Sequence, residues 1–172
     1  MAKTIVFILG TGRNGSTLLD MSLNGHSEIF SVGEIDHLEE DIVRRGESRC
    51  GCYTYLFRCN FWNKIWNTIK NNYNYQSNPL YQNNGLLYKN FRRVVNGIDL
   101  LLSLLNIWPT RPHGYHSRIY KEEIYSLIFK NENNKIISDS MKDPKRALRI
   151  SNYLKNFYEF KFIHLVRDGR AV

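Results

Sequence analysis

Residues 4–19 read TIVFILGTGRNGSTLL, an apolar and largely β-branched run followed at once by a loop that contains three glycines. The apolar run predicts a buried strand over residues 3–9 that ends at a glycine. Residues 16–24 predict a helix, because the Asn-Gly pair that follows is a typical helix stop. A strand, a glycine-rich loop and a helix in this order favour an α/β fold.

The glycine-rich loop is suited to an anion. Its glycines let the backbone approach a ligand closely, and a helix that begins near Ser16 directs free N–H groups towards it. Ser16 and Thr17 add hydroxyl donors, and Arg13 adds a forked cation that suits an oxyanion. The spacing is close to that of a P-loop, which carries lysine where this chain has Ser16. The alternative is a plain glycine turn between a strand and a helix.

Strands and helices alternate along the rest of the chain. The further predicted strands are residues 28–35, 135–140 and 161–166. The further predicted helices are residues 36–45, 85–106 and 117–131, with Ile124, Leu127 and Ile128 on one face, and a helix from Pro144 whose face carries Ala147, Ile150, Leu154 and Phe157. This alternation predicts a P-loop-like α/β fold with a mainly parallel sheet flanked by helices. Binding residues in such folds collect beyond the carboxyl ends of the strands.

The middle of the chain differs in composition from both ends. Asn, Tyr and Trp become frequent between residues 50 and 85, and we expect a variable helical or irregular insertion around residues 50–130 of a single domain. Its aromatic side chains either belong to the core or line a pocket for a sugar or phenol; they are Tyr53, Trp62, Trp66 and Tyr73.

Bulk composition limits the class of protein. The chain has 172 residues with 24 basic and 16 acidic side chains, a net charge of +8 that suits an anionic ligand. It shows no block of like charge, and its apolar runs are shorter than the ~20 residues that span a bilayer. We therefore expect no nucleic-acid partner, no membrane span and, without a signal-peptide pattern, a cytoplasmic protein.

Three cysteines occur in the chain, at positions 50, 52 and 59. A C-x-C pair followed by one distant cysteine matches no common zinc spacing. We therefore expect free thiols in a reducing compartment and no metal.

Two further loops place cations at the carboxyl ends of predicted strands. Lys142 lies in SDSMKDPKR, residues 138–146, and its ammonium reaches the same edge as the glycine loop unless it is simply a solvated charge. Arg167 lies in HLVRDGRAV, residues 164–172, directly after an apolar strand, and the following Asp-Gly pair is a turn signal.

GTGRNGST, DSMKDP and FIHLVRDGRAV, in this order, resemble the sulfotransferase family, which uses 3′-phosphoadenosine 5′-phosphosulfate (PAPS). The resemblance covers residues 3–36 and 135–172. With arginine in the first loop, the chain is more similar to the bacterial, Golgi and tyrosylprotein branches than to the cytosolic animal branch, which has lysine there.

The resemblance implies roles for individual residues. The loop that holds the 5′-phosphosulfate comprises Gly12, Arg13, Asn14, Gly15, Ser16 and Thr17. Arg167 opens the segment that binds the 3′-phosphate, and Lys142 matches a lysine that stabilises the transition state in the tyrosylprotein relatives. Arg13 shares that catalytic role. Glu34, in VGEI, corresponds to the base, with His26 and Asp36 as alternatives.

The function implied is transfer of a sulfuryl group from PAPS, without a metal, to a hydroxyl or amine of a small-molecule, glycan or peptide acceptor. The alternatives are a P-loop kinase or NTPase, with Asp139 as the magnesium ligand, and a nucleotide-binding module without turnover. The family normally has a serine several residues after the arginine of the third motif. Since the sequence ends at Val172, we expect residues 1–172 to form a domain truncated at its C-terminus.

Overall fold

The computed structural model describes residues 3–38, 41–42, 48–73 and 116–168. Within them lies a four-stranded sheet formed by β1 (Thr4–Gly10), β2 (Ile29–Ser31), β3 (Ile136–Lys142) and β4 (Glu159–Leu165). The strand order is β2-β3-β1-β4, and all three pairings are parallel. The predicted α/β fold with a parallel sheet is confirmed.

β1 is a central strand, which explains its continuous apolar sequence. Ile5, Phe7 and Ile8 are completely buried, as expected for a parallel strand covered on both faces. Leu9 is level with Lys142 of β3, and Gly10 is level with Leu165 of β4. The carboxyl ends of three strands therefore meet at one edge of the sheet.

Four helices accompany the sheet in the described residues: α1 (Ser16–Leu23), α2 (Asn60–Tyr73), α3 (His116–Asn131) and α4 (Pro144–Leu154). The start predicted for α4 is confirmed. Pro144 occupies its first turn, and the Asp143 carboxylate accepts a hydrogen bond of 2.9 Å from the Lys145 amide. The face predicted for α4 is buried at Ala147, Ile150 and Leu154. Phe157 is 72% exposed, because the helix has already ended.

The core extends from the sheet into α2 and α3, which pack against each other. Trp62 and Trp66 of α2 are buried, so the core interpretation of these two aromatic side chains is confirmed. The predicted face of α3 is buried as well, at Ile124, Leu127 and Ile128. Tyr53 does not belong to the core, since 84% of its surface is exposed.

Several predicted boundaries were wrong. The strand predicted over residues 28–35 spans only Ile29–Ser31, because the chain turns at Gly33, whose φ is +66°. The helix predicted over residues 36–45 begins as a 3-10 turn at Ile35–His37. Most of its remainder, and the whole helix predicted over residues 85–106, lie outside the described residues.

Every helix in the described part of the chain is too short or too polar to cross a lipid bilayer.

Candidate active site

Asn14 holds the glycine-rich loop in place. Its side chain is 6% exposed, and its Nδ2 donates a hydrogen bond of 3.1 Å to the carbonyl oxygen of Leu165. Its Oδ1 accepts a hydrogen bond of 3.0 Å from the backbone amide of Ser16. One side chain therefore joins the loop to the end of β4 and to the first residue of α1.

Two glycines make this arrangement possible. A Cβ on Gly10 would lie 2.0 Å from Nδ2 of Asn14 and 2.6 Å from the carbonyl oxygen of Leu165, so no other residue fits there. Gly15 precedes α1 with a φ of +94°, a left-handed backbone that glycine adopts without strain. It supplies no capping side chain to the helix.

The two predicted arginines of the donor site lie beside each other. Arg13 is exposed at the tip of the loop and has a left-handed φ of +63°. An Nη of Arg167 donates a hydrogen bond of 3.1 Å to the carbonyl oxygen of Arg13. Arg167, two residues beyond the end of β4, is thus brought against the first loop across 154 positions of sequence.

Glu34 and Lys142 form an ion pair at the same edge of the sheet. The Lys142 ammonium donates to Oε1 of Glu34, and the two side chains are 25% and 31% exposed. Nε2 of His37 lies 3.5 Å from the other carboxylate oxygen of Glu34. Lys142 is the last residue of β3 and not, as predicted, a residue beyond the strand. Because it is level with Leu9 of β1, the pair lies close to the start of the glycine loop.

Of the two alternative bases, His26 and Asp36, the structure describes the side chain of His26 alone. His26 lies in the turn that precedes β2, at the amino end of that strand, so it stands at the opposite edge of the sheet from the glycine loop. Its Nδ1 accepts a hydrogen bond of 3.2 Å from the Glu28 amide, as in an ordinary turn. The side chain of Asp36 lies outside the described part of the structure.

Sequence reasoning missed a buried acidic network behind this edge. Asp20 of α1 is 3% exposed and accepts hydrogen bonds from the hydroxyls of Ser31 and Ser138, the latter at 2.5 Å. Asp139 is completely buried and accepts a hydrogen bond of 2.5 Å from the Tyr125 hydroxyl. Burial raises the pKa of Asp139 to about 7, and the charge of Asp20 adds to this effect. The available sequence signal for this network was a run of three polar residues inside an otherwise apolar strand: Ser138, Asp139 and Ser140.

Two pairs of predicted site residues are therefore brought to one edge, Arg13 with Arg167 and Glu34 with Lys142. Gly12 and Thr17 are exposed there, whereas the Ser16 side chain is 2% exposed. The edge combines a glycine loop at a helix N-terminus, three cations and one carboxylate. This combination suits the binding of a multiply charged anion next to a proton acceptor.

Comparison with protein-family models matches residues 6–172 to a family described as the sulfotransferase family. The match begins within β1 and includes all three motifs. No curated protein and no solved structure matches the chain.

Proposed function

This chain belongs to the sulfotransferase family, and on that basis we propose that it transfers a sulfuryl group from PAPS to an acceptor hydroxyl or amine. The acceptor is a small molecule, a glycan or a peptide. The arginine at position 13 favours the branch that includes bacterial, Golgi and tyrosylprotein enzymes.

The donor site is assigned to the loop between β1 and α1. The first-turn amides of α1 and the exposed Thr17 hydroxyl are suited to the 5′-phosphosulfate, since a helix N-terminus attracts anions. Arg13 contributes charge at the tip of the loop. Arg167, held against the carbonyl group of Arg13, is suited to the 3′-phosphate. The Asn14 side chain is already engaged by Leu165 and Ser16, so we assign it to shaping the loop rather than to direct contact with the donor.

The ion pair between Glu34 and Lys142 is the observation that carries the proposal, because a carboxylate beside a cation, level with the end of β1, suits an acid–base step next to the proposed donor loop. In the proposed step the acceptor oxygen or nitrogen forms a bond to sulfur while the bond from sulfur to the bridging oxygen breaks. Glu34 accepts the acceptor's proton. Lys142, released from Glu34, and Arg13 stabilise the charge that develops on the bridging oxygen and the departing 5′-phosphate. The products are a sulfated acceptor and adenosine 3′,5′-bisphosphate (PAP).

The contacts of two residues weigh against a P-loop kinase or NTPase. Position 16 holds a buried serine where such enzymes need a lysine that reaches the phosphates. Asp139, the candidate magnesium ligand, is completely buried and hydrogen-bonded to Tyr125. A nucleotide-binding module without turnover, the other alternative, is distinguished from an enzyme by the turnover assay described below.

Isothermal titration calorimetry with PAP, ADP and ATP, each with Mg²⁺ and with EDTA, tests the donor site. We expect PAP to bind most tightly and equally well in EDTA. Tighter, Mg²⁺-dependent binding of ATP would contradict the proposal. Turnover with labelled PAPS and a panel of phenols, sugars, amines and tyrosine peptides then distinguishes an enzyme from a binding module. PAP binding without transfer to any acceptor would favour the module.

A further inference from the structure

The three cysteines converge on one point although they are distributed over residues 50–59. The sulfur of Cys59 lies 3.6 Å from that of Cys50 and 3.7 Å from that of Cys52. All three sulfur atoms lie within 4.8 Å of one another. These distances are much longer than a disulfide bond of about 2.05 Å, so the structure holds three thiols around a common centre.

The backbone between residues 48 and 59 is folded tightly enough to fix this arrangement. Arg49 and Tyr55 form an antiparallel bridge, and Tyr53 turns the chain with a left-handed φ of +64°. Hydrogen bonds of 2.8 Å run from the Cys50 amide to the Thr54 carbonyl and from the Tyr53 amide to the Cys50 carbonyl. Cys59 directly precedes α2 and accepts a hydrogen bond of 2.8 Å from the Asn63 amide through its carbonyl group. The three sulfur atoms are therefore positioned by backbone structure.

Polar and cationic residues neighbour the three cysteines in sequence. The Thr54 hydroxyl lies 3.0 Å from the sulfur of Cys52. Arg49 and Arg58 are adjacent in sequence to Cys50 and Cys59, and their guanidinium groups pack over the rings of Tyr55 and Phe57 at 4.8 and 5.4 Å.

Although their spacing in sequence predicts free thiols and no metal, we propose that Cys50, Cys52 and Cys59 bind one Zn²⁺ ion as three thiolates. Tetrahedral zinc with Zn–S bonds of about 2.3 Å requires sulfur atoms about 3.8 Å apart, close to the separations of 3.6 and 3.7 Å found here. Thiolate ligands select soft and borderline ions such as zinc over magnesium or calcium. Among the described residues no fourth His, Cys, Asp or Glu joins the group, so we assign the fourth position to water.

The zinc ion stabilises the start of α2. The ring of Phe61, two residues after Cys59, packs against Phe30 of β2 with centroids 5.1 Å apart. Trp62, the next residue, is buried in the core. Because metal binding requires deprotonated thiolates in their folded arrangement, zinc stabilises this part of the fold and is released at low pH. This inference does not depend on the proposed sulfotransferase activity.

The test uses the whole chain, purified under reducing conditions and stripped of metal with a chelator. Zinc is added back and bound metal is measured by inductively coupled plasma mass spectrometry; Co²⁺ is added in a parallel experiment. We expect one equivalent of zinc, a thiolate-to-cobalt charge-transfer band, and a higher melting temperature with zinc. Cys52→Ser should lose all three effects while its circular dichroism spectrum is retained, because Cys52 is exposed. Tyr53→Phe, a change in the same loop that leaves every thiol in place, should behave as the wild type.

Three results would overturn the zinc site. The reduced wild-type protein could bind no zinc and show no rise in melting temperature when zinc is added. Cys52→Ser could retain a full equivalent. Cobalt could bind without the charge-transfer band, which would show that sulfur is not a ligand.

Discussion

Replacing Asn14 by alanine tests how the candidate donor loop is held. The change removes two hydrogen bonds, of 3.1 Å to the Leu165 carbonyl and of 3.0 Å from the Ser16 amide, at a side chain that is 6% exposed. A buried polar group left without its partner costs about 1–3 kcal/mol. With about 2 kcal/mol lost, and roughly 2–4 °C per kcal/mol for a chain of this length, the melting temperature should fall by about 4–8 °C.

The same variant should weaken PAP binding, because the loop loses its attachment to β4 and the Ser16 amide loses its orientation. Differential scanning fluorimetry and calorimetry with PAP measure the two effects. Asn67→Ala, at an exposed position of α2, is the matched control and should change stability by less than about 0.5 kcal/mol. An Asn14→Ala protein with the melting temperature and PAP affinity of the control would refute the assignment of Asn14 as the residue that holds the loop.

Two further predictions concern carboxyl groups. Glu34→Gln should lower turnover by about 10²- to 10⁴-fold with little change in PAP affinity. His37→Gln, which alters the neighbour of the same carboxylate, is the control and should retain most activity. Near-normal turnover of Glu34→Gln in a steady-state assay would show that another residue is the base. Burial raises the pKa of Asp139 to about 7, above its ordinary value of about 4. Between these two pH values the folded protein holds a proton that the unfolded chain has released. The stabilising contribution of this group is therefore complete below about pH 4 and is lost as the pH rises through 7. The difference of roughly three pKa units corresponds to about 4 kcal/mol in the free energy of unfolding. In urea unfolding between pH 4 and 8, this free energy should decline with pH in the wild type and decline less in Asp139→Asn. Parallel pH profiles for the two proteins would contradict this prediction.

Much of the fold could be predicted because the relevant signals are local. The continuous apolar run of β1 and its closing glycine identify a buried strand, and Pro144 after Asp143 identifies the start of α4. Strand ends were less predictable, since a polar residue such as Lys142 is equally compatible with the last strand position and with the following loop.

The candidate site was also predicted in part, because its motifs are local signals in the sequence. Its motifs are contiguous in sequence, but the contacts between them are not. The inward direction of the Asn14 side chain depends on Leu165, 151 positions away, and the burial of Asp139 depends on Tyr125 of a different helix. The three thiols converge in a segment whose backbone takes a left-handed turn at Tyr53, a conformation that a tyrosine in the sequence does not predict.

At Arg13 and Lys142 the left-handed backbone lowers the stability of the fold, whereas the side chains are required for the proposed chemistry. Both residues have a φ of +63°, where a side chain costs roughly 1–2 kcal/mol and glycine costs almost nothing. Selection for thermal stability alone would therefore drive both positions towards glycine. On the proposed roles, each such change would remove a transition-state cation, so a more robust protein would be a poorer catalyst. Laboratory evolution for heat tolerance, without a screen for transfer, should accumulate glycine at these two positions, as at Tyr53, whose φ is +64°.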